Sequence, residues 1–326
     1  MSTHKNDSKF SRRGMLKSGM AAAAGAALLS ARRASADDPD ANWKIQKGRI
    51  KQSVVSWCFN PMSVEDLAEA SAKMGLKSVE LCDPKFWPAL KKLALTCAIA
   101  GSHGFVKGFN HPENHEECIA KVIRSVDASA DFGCPSVICF SGMKTLNAEG
   151  HVVEDKRLFK EGMTEKIVRE ISDEDGLRNT VEGLKKVVGH AEKKKVTLCL
   201  EVLNSRVAES MKGHPGYQAD KLEWGVQVCD KVGSPNLKIL FDIYHIQIME
   251  GDVIVRLKKY KDYIGHYHTA GVPGRCELDD TQEINYPPII RAIIETGYTG
   301  FLGQEFIPRN KDMIASLRQG VKVCDV

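Results

Sequence analysis

Several things are missing from this sequence, and each absence removes a class of protein. No CxxC pair occurs among the ten cysteines, and the one close pair, Cys134 and Cys139, has no partner pair at zinc-site spacing, so a thiolate zinc site is excluded. No GxGxxG follows the first strand-like run, which weakens a doubly wound dinucleotide-binding sheet. The apolar run from Met20 to Leu29 falls short of the ~20 residues a membrane-spanning helix needs. No basic stripe or aromatic-plus-Arg segment points to nucleic acid. What is present is ordinary globular composition over 326 residues, 43% hydrophobic and 27% charged, enough for one large domain with a sizeable core.

The first 36 residues read as a targeting segment. Ser11-Arg12-Arg13-Gly14-Met15-Leu16-Lys17 resembles the twin-arginine export signal, with Met15 where Phe is usual. The Ala-rich apolar run follows, and Ala34-Ser35-Ala36 is a small-residue cleavage site with Asp37 as the first mature residue. The expectation is a domain 1–36 that engages the twin-arginine export machinery and a mature barrel 37–326, periplasmic or otherwise extracytoplasmic, with no stable membrane insertion after cleavage. Residues 1–36 carry seven Lys or Arg and one Asp. Taking these from 46 basic and 42 acidic residues leaves 39 and 41, so the formal charge moves from +4 to −2 and the basic balance belongs to the leader. Cys58, Cys82, Cys97, Cys139 and Cys199 sit within or beside apolar runs, which predicts buried free thiols. Folding inside the cell before export, as the twin-arginine resemblance implies, would leave them reduced.

Along the rest of the chain, short β-branched runs alternate with longer amphipathic segments, the pattern of a parallel sheet with crossover helices. Strands are expected near Ile50–Phe59, Ser78–Cys82, Leu95–His103, Ser136–Ser141, Val196–Leu203, Leu237–Tyr244, Ile264–Thr269 and Gly300–Phe306. Helices are expected from Ser63, a cap with Asp66 three residues on, and around Pro84–Leu93, Glu116–Phe132, Asp175–Lys194, Lys221–Val232, Asp252–Tyr260, Pro287–Thr296 and Asn310–Val323. Eight such units match an α/β protein of the (β/α)₈ TIM-barrel class, typically about 250 residues. The longest connection, Gly142 to Ser172, follows the fourth strand and is a lid candidate at the face where such barrels place their sites.

Four strand endings share one feature. Leu198-Cys-Leu-Glu201, Ile239-Leu-Phe-Asp242, Gly265-His-Tyr-His268 and Leu302-Gly-Gln-Glu305 each present an ionisable group after apolar residues. A carboxylate or imidazole at a buried strand end is costly unless paired or metal-bound, and four on consecutive strands ask for one shared explanation. A single divalent ion supplies it. Three carboxylates and one imidazole suit Mn²⁺, Mg²⁺ or Co²⁺.

The stretches Glu201-Val-Leu-Asn204, Asp242-Ile-Tyr-His245-Ile-Gln-Ile-Met-Glu250-Gly251-Asp252, Ile264-Gly-His-Tyr-His268 with Val272-Pro-Gly-Arg275, Glu283-Ile-Asn285-Tyr286-Pro287 and Gly303-Gln-Glu305-Phe resemble the hydroxypyruvate isomerase family of xylose-isomerase-like barrels. The resemblance covers most of residues 37–326. It implies that Glu201, Asp242, His268 and Glu305 bind the metal and that Glu201 and Glu305 also move protons, through an enediolate of a small hydroxy-carbonyl substrate. His245, Arg275, Asn204 and His103 are candidates for substrate binding, Arg275 because its two-pronged guanidinium matches a carboxylate. Glu80 in the second strand is a further candidate for lining the pocket. Hydroxypyruvate isomerases place Gln where this chain has His268, while ketose 3-epimerases use His. Those epimerases carry a further Glu shortly after the first ligand, where this chain has Ser205-Arg206-Val207. That absence counts against a free-sugar epimerase, but the expected export sits poorly with the family's intracellular reaction, so an exported ketose 3-epimerase, or a lyase or epimerase of 3-keto-glycosides, is the alternative. A catalytically inactive carbohydrate-binding barrel is the reading from another class, and a metal-dependent endonuclease of this fold, which would carry a richer His set, is a third.

Overall fold

Where β-branched and aliphatic residues run together, as in Ser136-Val-Ile-Cys139, the chain is buried on both faces and pairs parallel with its neighbours. In the computed structural model, which describes residues 40–147, 150, 152 and 169–326, eight such strands form one parallel sheet. They are β1 (Lys51–Val55), β2 (Ser78–Glu80), β3 (Ile99–Ala100), β4 (Ser136–Cys139), β7 (Thr197–Glu201), β8 (Leu237–Asp242), β9 (Ile264–Thr269) and β10 (Phe301–Gln304). The order is β2-β1-β10-β9-β8-β7-β4-β3. The two ends meet where Ser78 bridges Thr96 and the Leu81 N–H donates to the Ile99 carbonyl at 3.1 Å, which closes the ring into the expected (β/α)₈ barrel.

The chain divides into two units, Met1–Trp43 and Lys44–Val326. Of the first, only residues 40–43 are described, as a turn in which the Trp43 N–H reaches the Asp40 carbonyl. The targeting segment 1–36 lies outside the described residues. The second unit carries the barrel and its helices: α1 (Val64–Met74), α2 (Trp87–Lys92), α3 (His115–Phe132), α4 (Asp173–Lys185), α5 (Val188–Lys194), α6 (Leu222–Val232), α7 (Ile243–Met249), α8 (Val253–Lys259), α9 (Tyr286–Glu295) and α10 (Met313–Cys324). Ser63 caps α1 as expected, its hydroxyl accepting from the Asp66 N–H at 3.0 Å, and Ser172 caps α4 in the same way through Asp175. Among the described residues no helix is long and apolar enough to cross a membrane.

Three local expectations are corrected. The third strand shrinks from Leu95–His103 to two residues, because Gly101 and the turn after it break the ladder. The helix expected over Asp175–Lys194 is two helices parted at Lys186 and Val187. The Gly142–Ser172 connection holds a small antiparallel pair, β5 (Thr145–Leu146) with β6 (Arg169–Glu170); the lid expected there falls on residues 148, 149, 151 and 153–168, which lie outside the described residues. All ten cysteines are buried and free.

Candidate metal centre

The barrel register sets the site. β8 and β9 pair Asp242 with His268 directly, and β9 pairs His268 with Gly303 on β10, two residues before Glu305. Glu201 ends β7, one strand further round. Side chains alternate along a strand, so His266 and His268 both turn inward while Tyr267 points away from them. Glu201, Asp242, His268 and Glu305 are all buried, and each offers a ligand atom within 4.8 Å of the others.

Asp242 serves two purposes. It caps α7, with Oδ1 accepting from the N–H groups of Tyr244 at 2.8 Å and His245 at 3.4 Å. Its Oδ2 faces the cluster without a hydrogen-bond partner. His268 Nδ1 lies 2.8 Å from Glu305 Oε2 and 3.9 Å from Glu201 Oε1, as an ion pair without hydrogen-bond alignment. Three buried donor atoms, His268 Nδ1, Asp242 Oδ2 and Glu305 Oε2, thus converge with no hydrogen bond to satisfy them. Buried polar atoms without aligned hydrogen bonds are costly, and a divalent ion would satisfy all three at once. The donors are oxygen and imidazole nitrogen, so the residues fit a hard or borderline divalent ion.

Electrostatics point the same way. Burial, and then the charge of Glu305, push the Glu201 carboxyl well above the usual range and that of Asp242 up to about 7. Burial pushes Glu305 up too, but Arg275 and His268 overcome it and hold that carboxyl low. For His268, burial disfavours the charged ring, while Glu305 and Glu80 favour it and win. The cluster therefore has more negative groups than its own cations neutralise.

The other expected residues fall in distinct places. Arg275 is buried, stacks its guanidinium 5.1 Å over the Trp57 ring and sets Nη2 2.7 Å from Glu305 Oε2 and 3.7 Å from Asp242 Oδ2. His245 Nε2 lies 3.5 Å from Asp242 Oδ2, and its Nδ1 accepts from the Asn204 N–H at 3.0 Å. Asn204 ties its own loop to His245: Nδ2 lies 2.9 Å from the Lys212 carbonyl and 2.6 Å from His245 Nδ1, and Oδ1 accepts from the Val207 N–H at 3.0 Å. His103 borders the cavity with Nδ1 donating to the carbonyls of Lys107 and Gly104.

A cavity of about 300 Å³ opens over the cluster, walled by Trp57, Phe105, Phe140, His214 and Arg275. Of the four candidate ligands, Glu201 and Glu305 line it, whereas Asp242 and His268 lie behind. Trp57 and His214 escaped the sequence reading, since Trp57 lies in a short 3-10 turn, Ser56–Phe59, after β1 and His214 in a loop, and neither has an ionisable strand end to mark it. Glu80 does not line this cavity. It lies beneath, on His266 and His268.

Comparison with known proteins agrees with this architecture. The 2-oxo-tetronate isomerase of Cupriavidus necator is 42% identical over 114 residues, 35% of this chain and 41% of that protein. The hydroxypyruvate isomerase of Escherichia coli K12 is 38% identical over 95 residues, 29% of this chain and 36% of that protein. The aligned segments thus span about two-fifths of these relatives' own length. Among solved structures, 3-keto-D-glucoside 4-epimerase from E. coli superposes with a TM-score of 0.65 at 17% identity, covering 84% of this chain and 98% of that one, a likeness of fold. The family model described as xylose isomerase-like TIM barrel matches residues 68–323, and the chain belongs to that family.

Proposed function

We propose that this protein is a divalent-metal-dependent isomerase that shifts a proton on a small hydroxy-carbonyl substrate, of the hydroxypyruvate isomerase kind. The observation that carries the reading is the convergence of His268 Nδ1, Asp242 Oδ2 and Glu305 Oε2, none in an aligned hydrogen bond, at the floor of a cavity that Glu201 and Glu305 also line. The two relatives aligned above carry isomerase names, which supports the reaction class.

Glu201, Asp242, His268 and Glu305 would hold the ion, which would supply a Lewis acid to polarise the substrate carbonyl and acidify the neighbouring C–H. The chain's own residues do the rest. Among the described residues Glu201 and Glu305 are the carboxylates that reach the cavity, so they are the groups placed to take a proton from one carbon and return it to the next. Arg275, fixed by its Nη1 donating to the Met211 carbonyl at 2.7 Å, brings positive charge to the same wall and orients an anionic or oxygen-rich end of the substrate. Trp57, Phe105 and Phe140 exclude water from the reacting face.

A keto-sugar is the second reading. It is favoured by His268 standing where hydroxypyruvate isomerases have Gln, and by aromatic walls around about 300 Å³, the low end of the range for ring-sized ligands. The test is turnover by the Mn²⁺-loaded protein on hydroxypyruvate and on ketoses in D₂O, followed by proton NMR. Deuterium entering hydroxypyruvate selects the first reading and deuterium entering only a ketose the second. Protein that binds no divalent ion and exchanges no proton ends both. We also propose export by the twin-arginine route, on the strength of Ser11–Lys17, the Ala-rich run and Ala34-Ser35-Ala36. Fractionation of cells carrying the tagged chain, with Arg12→Lys and Arg13→Lys together as the control, checks it; accumulation outside the cytoplasm by that variant would refute it.

A further inference from the structure

Below the candidate ligands lies a second buried cluster that the proposed chemistry does not use. Glu80, the last residue of β2, is fully buried on the far side of the ring from β8. Its Oε1 accepts from two imidazoles at once, His266 Nε2 at 3.1 Å and His268 Nε2 at 2.9 Å. These histidines are two apart on β9 and so turn to the same side, with ring centroids 5.0 Å apart and planes at 88°. Gly303 makes room for the contact. A Cβ there would overlap Glu80 Oε1 and stand 2.8 Å from His268 Cδ2, so the Gly303-Gln-Glu305 turn of sequence clears the space that Glu80 fills.

An imidazole binds a metal only through an unprotonated nitrogen, and which nitrogen keeps its proton is set by the partner on the other side of the ring. We infer that Glu80 is a positioning residue for the metal centre: by accepting the Nε2–H of His268 it leaves the Nδ1 lone pair facing Glu201, Asp242 and Glu305. His266 steadies Glu80 from the layer below by donating to the same oxygen. A carboxylate behind a ligating histidine also makes the ring more basic, which tightens metal binding. This inference rests on the metal reading above and adds the residue that makes His268 competent.

The experiment is calorimetric titration of the full-length protein with Mn²⁺, comparing wild type with Glu80→Gln and His266→Gln. Gln keeps the size of Glu and one acceptor oxygen but loses the charge. Both wild type and Glu80→Gln are expected to take one ion per chain, with affinity 10–100-fold weaker in Glu80→Gln and a smaller loss in His266→Gln. Long-range ¹⁵N–¹H NMR of the wild type loaded with Mg²⁺ reads the tautomer directly and needs no variant to fold. A proton on His268 Nε2 supports the inference, and one on Nδ1 overturns it. Affinity unchanged within twofold in folded Glu80→Gln also overturns it. So does a stoichiometry of two ions in wild type that drops to one in the variant, since Glu80 would then be a ligand. Wild-type protein that takes no ion removes the metal reading and this one together, an outcome distinct from the other three.

Discussion

Arg275 holds Glu305 twice: Nη2 lies 2.7 Å from the side-chain Oε2, and Nε donates to the main-chain carbonyl of the same residue at 3.3 Å. One guanidinium thus fixes both the position and the charge of the last candidate ligand, and with it neutralises part of Asp242 at 3.7 Å. Arg275→Met keeps the bulk and removes the charge, leaving buried carboxylates with fewer counter-charges. Removing one partner of a buried pair costs about 3–5 kcal/mol, so the metal-free variant is expected to melt well below wild type. Because the arginine and a divalent ion answer the same excess of negative charge, Mn²⁺ is expected to raise the melting temperature of Arg275→Met more than that of wild type. Equal shifts in the two proteins would show that the two cations do not share that task.

Glu201 reaches the cavity but stands furthest from His268 Nδ1 of the distances given above, 3.9 Å against 2.8 Å for Glu305. Its proton-transfer role can therefore be separated from its role as a ligand. Glu201→Gln, assayed at saturating Mn²⁺ on whichever substrate the D₂O experiment selects, is expected to lower kcat by about 10²–10⁴, the usual worth of a positioned acid or base. Deuterium incorporation at the substrate carbon should fall by the same factor. Incorporation that continues at the wild-type rate would assign the proton to another group.

The barrel and the convergence of its four strand-end candidate ligands were legible in the sequence because both depend on local pattern: period two within strands, and an ionisable residue after an apolar run. Asp242 shows that a helix cap and a candidate ligand can be one residue, since Oδ1 caps α7 while Oδ2 faces the cluster. Helix α7 itself was not legible, being absorbed into a strand expected to continue to Tyr244. The pairing of Glu80 with His266 was out of reach for a different reason. Their contact joins residues 186 apart in sequence, and nothing in either neighbourhood signals the other. The inward pair His266 and His268 was the available hint, as two histidines on one face of a strand need a shared acceptor.

His103 supplies a pH dependence that can be isolated. Burial, opposed by its bonds to the Lys107 and Gly104 carbonyls, holds its imidazole down to about 4, against an unfolded value of about 6.5. The folded state therefore favours the neutral ring, and the unfolded chain binds the extra proton between these values. Stability from this residue is complete above pH ~6.5 and is lost as pH falls through the folded value, with a slope of at most about 1.4 kcal/mol per pH unit. His103→Asn, whose amide can replace Nδ1–H toward the Lys107 carbonyl, removes the titrating group. Urea melts from pH 7 to 4.5 should show the stability of wild type falling toward that of the variant, or below it, as pH drops. A difference that stays constant across this range would exclude His103 as a contributor.

The loop that follows Glu305 is held by a buried acid from another part of the chain. Glu277 Oε1 accepts from the N–H groups of Arg309 at 2.7 Å and Asn310 at 3.0 Å and from the Ser316 hydroxyl at 3.1 Å, while Oε2 takes Arg309 Nε at 3.1 Å. Burial would raise its carboxyl, but the bonds from Asn310 and Arg309 prevail and hold it below the usual range. Glu277→Gln replaces one acceptor oxygen by a donor that has no acceptor to meet in this nest of N–H groups. Hydrogen bonds to charged groups contribute about 1.5–3 kcal/mol each, so a loss of about 2 kcal/mol is expected near neutral pH. For a carboxyl lowered on folding, that stabilisation is present above the unfolded value of about 4.3 and disappears as pH falls through the folded one. Urea melts should therefore give a wild-type advantage that is flat between pH 6 and 8 and narrows below pH ~4.3. An advantage that persists undiminished under acid would mean that Glu277 acts through packing, with its charge contributing nothing to the loop.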